Sequence, residues 1–333
     1  MPKRGLFAPK YYNEFECIKG ECRHSCCIGW EIDIDDATMK KYASIDGEIG
    51  DRIRDSIFAP MKKASDSCQN GTLSVGAECN EAVNGEYDAP PHFVHVCGGR
   101  CPHLDDCGLC RIIIELGEGY LSDICRFHPR FFNETVRGAE VGLGMSCEEA
   151  ARIILSSDGY SELVKVGEGE CTECEFDALP YRREVYSILS DRKIAYTERL
   201  NAIAERFSVS TKLLSDSEWR DVISSLEYLD SESCERFSRY SSDVFESAWE
   251  CELERALAYF VYRHASAAKS YEEFRTGLGF AMFCERLLAS LAREEKVVSF
   301  DDFALLARLI SEEIEYSSDN TDVIMSEIEF AMQ

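Results

Sequence analysis

Seventeen cysteines in 333 residues, and the way they are bunched, constrain this chain more than any other feature. Fourteen lie between Cys17 and Cys174, and only Cys234, Cys251 and Cys284 lie beyond. The number is odd. Met1-Pro2-Lys3-Arg4 is basic, but the apolar run of a secretory signal does not follow it. A cytoplasmic location is therefore expected, where thiols stay reduced and a disulfide framework explains little. Ligation of a metal ion or an iron–sulfur cluster explains the cysteines better.

Three groups carry the pattern. The first is Cys17-Ile-Lys-Gly-Glu-Cys22-Arg-His-Ser-Cys26-Cys27-Ile-Gly-Trp30. The second is Cys97-Gly-Gly-Arg-Cys101-Pro-His-Leu-Asp-Asp-Cys107-Gly-Leu-Cys110. The third is Cys125-Arg-Phe-His-Pro-Arg130, followed by Cys147. A tight turn between two cysteines aims both sulfurs at one ion, and nearby Gly or Pro lets backbone N–H groups reach the sulfurs. Soft thiolates suit zinc, copper(I) and iron–sulfur clusters. No zinc-finger spacing occurs, and the adjacent Cys26 and Cys27 would crowd one tetrahedral zinc, so iron–sulfur is favoured with zinc left open. Cys171 and Cys174 form a further pair. His24, His95, His103 and His128 lie among the groups and are expected to hydrogen-bond rather than to ligate. Single cysteines are most often small buried hydrophobes. That reading fits Cys234, Cys251 and Cys284 and stays open for Cys68 and Cys79.

Charge narrows the partners. The chain has 36 basic and 62 acidic side chains, a net of -26. Such a surface repels nucleic acid and anionic membranes and attracts a cationic partner, or simply keeps the chain soluble. No apolar run approaches the ~20 residues that span a bilayer.

The expected fold is mainly α, in two domains. A loop-rich, metal-organised domain occupies 1–178, with turn residues dense from Ser65 to Asp106, and an all-helical bundle or array occupies 179–333. Asp35-Asp36 marks a helix start running towards Ile45. Arg111 to Leu116 continues a helix from near Cys107–Cys110, and Ser146-Cys147-Glu148-Glu149 caps a helix over Ala150 to Leu155. In the second half, apolar stripes run through Trp219 to Leu229, Phe245 to Phe260 and Phe274 to Leu291. A further stripe runs from Phe303 to Ile314 behind Ser299, and Arg182 to Phe207 adds a fifth helix. These stripes read as core packing.

The segments FECIKGECRHSCCIGWEIDID, CPHLDDCGLCRIIIELGEGYLSDICRFHPRFF and MSCEEAARIIL resemble the flagellin lysine-N-methylase family, within a wider group of proteins with a CxxCxxCC-type zinc- or iron-chelating domain. The resemblance covers most of residues 7–155. It implies an S-adenosylmethionine-dependent methyltransferase acting on surface lysines of flagellin, with an iron–sulfur cluster. Its ligands fall among Cys17, Cys22, Cys26, Cys27, Cys101, Cys110, Cys125 and Cys147. One four-iron cluster needs about four of them.

No Gly-rich loop in a strand–helix setting is present, so the methyl donor would be bound in a non-Rossmann way. The radical motif C-x3-C-x2-C is absent too. A target lysine must lose its proton before attack. Asp123 and Tyr120, with Glu118, stand close to Cys125 and are the candidate catalytic groups; their plain alternative is turn and cap residues. Arg126 and Arg130 are candidates for the donor's carboxylate, or for balancing thiolate charge. Two other functions stay open: a non-methylating iron–sulfur electron-transfer or redox protein, and a zinc-organised interaction module.

Overall fold

The computed structural model describes residues 3–58, 90–170, 175–209, 214–243, 245 and 248–333. Cys68, Cys79, Cys171 and Cys174 lie outside these residues, as does the first part of the stretch from Ser65 to Asp106. Along the chain come strand β1 (Lys3–Pro9), helices α1 (Asp36–Ala43) and α2 (Gly47–Asp55), and short strands β2 (Ile57–Phe58) and β3 (His92–Phe93). Helices α3 (Arg111–Leu116) and α4 (Asp123–Phe127) follow, then strands β4 (Arg130–Thr135) and β5 (Gly138–Leu143), helix α5 (Glu148–Ser156) and strand β6 (Leu163–Glu170). Beyond these the elements are helical: α6 (Leu179–Leu189), α7 (Tyr196–Phe207), α8 (Asp216–Ser225), α9 (Ser231–Phe237), α10 (Glu250–His264) and α11 (Tyr271–Glu294). Then α12 (Phe300–Ile310) runs into a π turn (Ser311–Glu315), and α13 (Ser318–Ala331) closes the series. The fold is mainly α, as the periodicity predicts.

Local chemistry explains the helix starts. The Asp35 carboxylate accepts from Thr38 N at 2.9 Å and caps α1. Ser299 does the same for Asp302 N at 3.1 Å before α12, and Ser215 with Glu218 forms a reciprocal capping box before α8. The fifth expected helix, Arg182 to Phe207, is two helices. Ile194 N turns back to Asp191 O at 3.0 Å between α6 and α7, so one apolar stripe serves two axes. Helix α11 is buried on nearly every side from Gly277 to Ala292, the mark of a central core helix.

Two compact units divide the chain. One comprises Met1–Ile18, Cys22–His24 and His128–Gln333, and the other Lys19–Glu21 and Ser25–Phe127. The expected boundary at 178/179 lies elsewhere, inside the first unit, and pairing of β1 is the reason. β1 runs parallel to β5 (Leu6 opposite Ala139) and antiparallel to β6 (Lys3 opposite Glu170), while β4 pairs antiparallel with β5. The resulting sheet, in the order β4–β5–β1–β6, commits the N-terminus and residues 130–170 to the helical unit. Periodicity in the sequence does not predict this sheet.

The core of this larger unit carries paired charges. Glu140 on β5 meets Arg182 on α6 at 2.6 Å. Glu254 accepts from Arg199 at 2.7 Å and from Tyr160 at 2.9 Å. Glu285 accepts from Tyr196 at 2.9 Å and pairs with Arg286. Glu315, at the end of the π turn, accepts from His264 Nε2 at 2.6 Å and from Tyr259 at 3.0 Å. Burial makes each carboxylate costly unless it is paired, and removing one partner from such a pair typically costs about 3–5 kcal/mol.

The smaller unit has its own core of Ile32, Ile34, Tyr42, Ile53, Phe93, Cys101 and Ile112, with Cys27, Cys110 and Cys125 packed against it. Among the described residues no helix is long and apolar enough to cross a membrane.

Candidate metal centre

The thiols of the smaller unit are brought together by backbone pairing of loops far apart in sequence. Cys101 N donates to Cys27 O at 2.7 Å and Gly29 N donates to Gly99 O at 2.8 Å. Gly99 has φ +67°, a left-handed conformation that glycine adopts without strain. The chain then turns tightly, with Leu104 opposite Cys110 in a single bridge. The Asp105 carboxylate holds that turn by accepting from Cys107 N at 2.9 Å and Leu109 N at 2.8 Å. Cys110 stands at the N-cap of α3, and Cys125 lies within α4.

The electrostatics follow the grouping. Burial pushes the Cys101 thiol up to about 12, and the neighbouring Cys27, Cys125 and Cys110 push the same way, against an N–H bond from His103. Burial pushes Cys125 up to about 11; the Ser122 hydroxyl facing it opposes, and Cys27 and Cys110 add to the rise. Cys110 is raised by burial while the N–H groups of Ile113 and Ile112 partly compensate. Cys27 is the exception: hydrogen bonding from Cys26, assisted by Ser25 and Arg100, brings it down to about 7 against its burial. Cys101, Cys110 and Cys125 are each raised by burial and by neighbouring thiols, and a bound cation is the usual means of ionising such a set.

The remaining thiols form a second group in the larger unit. Burial and the nearby Cys147 and Cys17 push Cys22 up to about 12. Cys147 is the N-cap of α5; burial raises its thiol, and the nearby backbone N–H groups of Ala150 and Glu149 oppose that rise. Glu148 accepts from Arg23 N at 2.9 Å and Arg23 Nε at 2.8 Å, tying residues 22–24 to the start of α5. Cys26 is exposed beside Cys27. Seven of the eight expected cysteines thus fall into Cys27, Cys101, Cys110 and Cys125 on one hand and Cys17, Cys22 and Cys147 on the other, with Cys26 in neither group. Cys97 and Cys107 are exposed. Cys284 is buried, as expected of a packing cysteine, whereas Cys251 is exposed.

Residue chemistry in the four-thiol group fits a sulfur-ligated metal. The Tyr42 hydroxyl is buried with no hydrogen-bond partner, and the thiols of Cys125 and Cys110 lead the charges that surround it. A bound group with acceptor atoms would satisfy it. Tetrahedral zinc, with Zn–S near 2.3 Å, draws its sulfurs to about 3.8 Å apart. Among the described residues no three thiol sulfurs lie within 4.8 Å of one another.

The other expected site residues are dispersed. Asp123 is exposed at the first turn of α4, its carboxylate 2.5 Å from Arg126, while its own N–H donates to Asp35 at 3.0 Å. Arg126 also lies over the Phe127 ring. Tyr120 is exposed in the turn before α4. Arg130 belongs to the larger unit, where it donates to the Tyr12 hydroxyl at 2.9 Å and lies over the Phe15 ring. His103 is buried and pushed down to about 4 by that burial; its Nε2 pairs with Ser56 Oγ at 2.9 Å. His95 Nε2 pairs with the Trp30 carbonyl. Sequence spacing gives no sign of the Glu315–His264 pair or of the Tyr42 hydroxyl, because these residues lie apart from every cysteine motif.

Comparison with known proteins agrees with the motifs. The chain is 32% identical over 149 residues to the lysine-N-methylases of Salmonella typhimurium and Salmonella choleraesuis, a match covering 44% of this chain and 32% of each relative. It is 31% identical over 149 residues to the flagellar biosynthetic protein FliU of Salmonella muenchen, covering 44% of this chain and 75% of that protein. The chain belongs to the flagellar lysine-N-methylase family. This family member spans about a third of the length of the lysine-N-methylases it matches. No family model and no solved structure matches it.

Proposed function

We propose that the chain is a protein-lysine N-methyltransferase that uses S-adenosylmethionine and acts on surface lysines of flagellin or another lysine-bearing protein. We further propose that it holds one four-iron cluster on Cys27, Cys101, Cys110 and Cys125. The observation that carries the reading is the 32% identity over 149 residues to lysine-N-methylases. The cluster assignment is supported by the number of grouped thiols, which is the usual count for such a cluster. The unpartnered Tyr42 hydroxyl supports it too. The second group supplies three thiols and is one short. When bound, the cluster supplies an electron-rich, polarising centre that redox or Lewis-acid chemistry can draw on.

The remaining roles fall to the chain's own side chains. Methyl transfer by displacement forms an N–C bond at the lysine Nζ and breaks the sulfonium S–C bond, and the amine proton must leave. Asp123 and Tyr120, both exposed just ahead of Cys125, take the role of accepting that proton. Arg126 orients the Asp123 carboxylate through their 2.5 Å pair. The net charge of -26 favours a lysine-rich substrate face. A cytoplasmic setting keeps the thiols reduced.

The test is anaerobic incubation of the full chain with S-adenosylmethionine and flagellin, followed by mass spectrometry of tryptic peptides. Methylated lysines that depend on both donor and enzyme are expected. Iron without donor binding or methylation would turn the reading to a redox protein. Stoichiometric zinc without iron would turn it to an interaction module.

A further inference from the structure

A second group of potential ligands lies in the smaller unit, chemically unlike the thiols. Ile32 and Ile34 point into the core, as does Phe93 on the facing segment. The two segments are joined by Phe93 N to Ile32 O at 3.1 Å and Ile34 N to Pro91 O at 2.7 Å. Side chains alternate along an extended chain, so Glu31 and Asp33 face outward together. Asp33 is bridged to His92 across the pair. One ligand atom each from Glu31, Asp33 and His92 lies within 4.8 Å of the others. His92 Nδ1 is 3.3 Å from Glu31 Oε1 and 3.0 Å from the Pro90 carbonyl oxygen. The Phe58 ring packs against the imidazole, with ring centroids 5.1 Å apart. A cavity of about 280 Å³ opens beside them, lined by Glu31, His92, Phe93, Val94 and His95.

We infer that Glu31, Asp33 and His92, with the Pro90 carbonyl, form a divalent-cation site independent of the thiol centre. One oxygen from each carboxylate and an imidazole nitrogen lie within 4.8 Å of one another, and the Pro90 carbonyl oxygen lies 3.0 Å from His92 Nδ1; all four are electron-pair donors. A proton on Nδ1 serves one or two of them; a cation serves all four and offsets the two like charges. Ligands at about 2.1 Å from an octahedral ion stand about 3.0 Å apart when adjacent and about 4.2 Å when opposite; the 3.3 Å between His92 Nδ1 and Glu31 Oε1 is close to the first, and the wider spacings of the group, up to 4.8 Å, close by side-chain rotation. A nitrogen–oxygen donor set suits manganese, iron(II) or zinc rather than copper(I), and manganese, unlike zinc, does not compete for cysteine thiolates. The cavity leaves the remaining coordination positions open.

Manganese itself is the probe. The full chain is titrated with Mn²⁺ and the free aquo ion is followed by electron paramagnetic resonance, with nitrogen hyperfine coupling read on the bound ion. One saturable ion with a dissociation constant below about 1 mM and an imidazole nitrogen coupling is expected. Asp33→Asn and His92→Ala should each weaken binding by about tenfold or more, and His92→Ala should abolish the coupling. Glu115→Gln, an exposed carboxylate elsewhere in the unit paired with Arg52, should change neither. Circular dichroism establishes that the variants fold; Asp33→Asn preserves side-chain shape and keeps the test valid if His92→Ala does not. No saturable binding, binding without nitrogen coupling, or equal binding by Asp33→Asn and Glu115→Gln overturns the inference.

Discussion

Adjacent residues in this chain serve different ends. Cys27 is drawn into the smaller unit's core by its backbone bond to Cys101, while Cys26 stays exposed. Cys17 and Cys22, close to both in sequence, group instead with Cys147. The motif announces thiol chemistry plainly, but sequence spacing cannot divide the thiols, because the partners of Cys27 are supplied by loops about 75 to 100 residues away. Histidine chemistry is likewise decided by surroundings. Burial, with Arg130 and Arg263 nearby, holds the His128 imidazole down at about 4. An unfolded histidine titrates near 6.5, so the unfolded chain takes up a proton first as pH falls. The neutral ring's contribution is complete above about pH 6.5 and is lost progressively towards pH 4. Every tenfold difference in proton affinity between the folded and unfolded chain is worth about 1.4 kcal/mol; with the ring part-exposed, a loss of about 2 kcal/mol is expected. Urea unfolding from pH 7 to 4 should therefore show a shallower decline for His128→Gln than for the natural chain. Parallel declines would contradict this.

At the scale of elements, helices with caps or stripes are legible in the sequence: α1, α5 and α12 begin where Asp35, Cys147 and Ser299 stand, and α11 carries the stripe from Phe274 to Leu291. The sheet is not, since β5 is buried along its whole length and reads as neither alternation nor helix. The central packing of α10 against α11 depends on one small residue. A Cβ on Gly277 would lie 2.3 Å from the His264 carbonyl oxygen and 3.0 Å from the Ala265 Cα. Both are backbone atoms and cannot swing aside. Alanine gains about 1 kcal/mol of helix propensity over glycine, but overpacking costs about 1–3 kcal/mol and more against backbone. Gly277→Ala is expected to lower stability by at least about 1 kcal/mol, with an unchanged denaturant slope. A stabilised variant would show that the two helices are free to separate there.

At the scale of the whole molecule, one chain carries two sorts of potential metal chemistry in its smaller unit and a second group of thiols in its larger one. The mainly α architecture and the family follow from sequence; the division into units does not, because strand β1 returns to pair with segments more than a hundred residues on. On the proposed reading, Cys27, Cys101, Cys110 and Cys125 act as one ligand set. Iron, sulfide and zinc analysis of anaerobically purified full chain, beside its single Cys→Ser variants, tests it most directly. About four iron and four sulfide per chain are predicted, lost on substitution of Cys27, Cys101, Cys110 or Cys125 and kept on substitution of the exposed Cys251. Stoichiometric zinc without iron, or iron retained in Cys101→Ser and lost in Cys22→Ser, would contradict it.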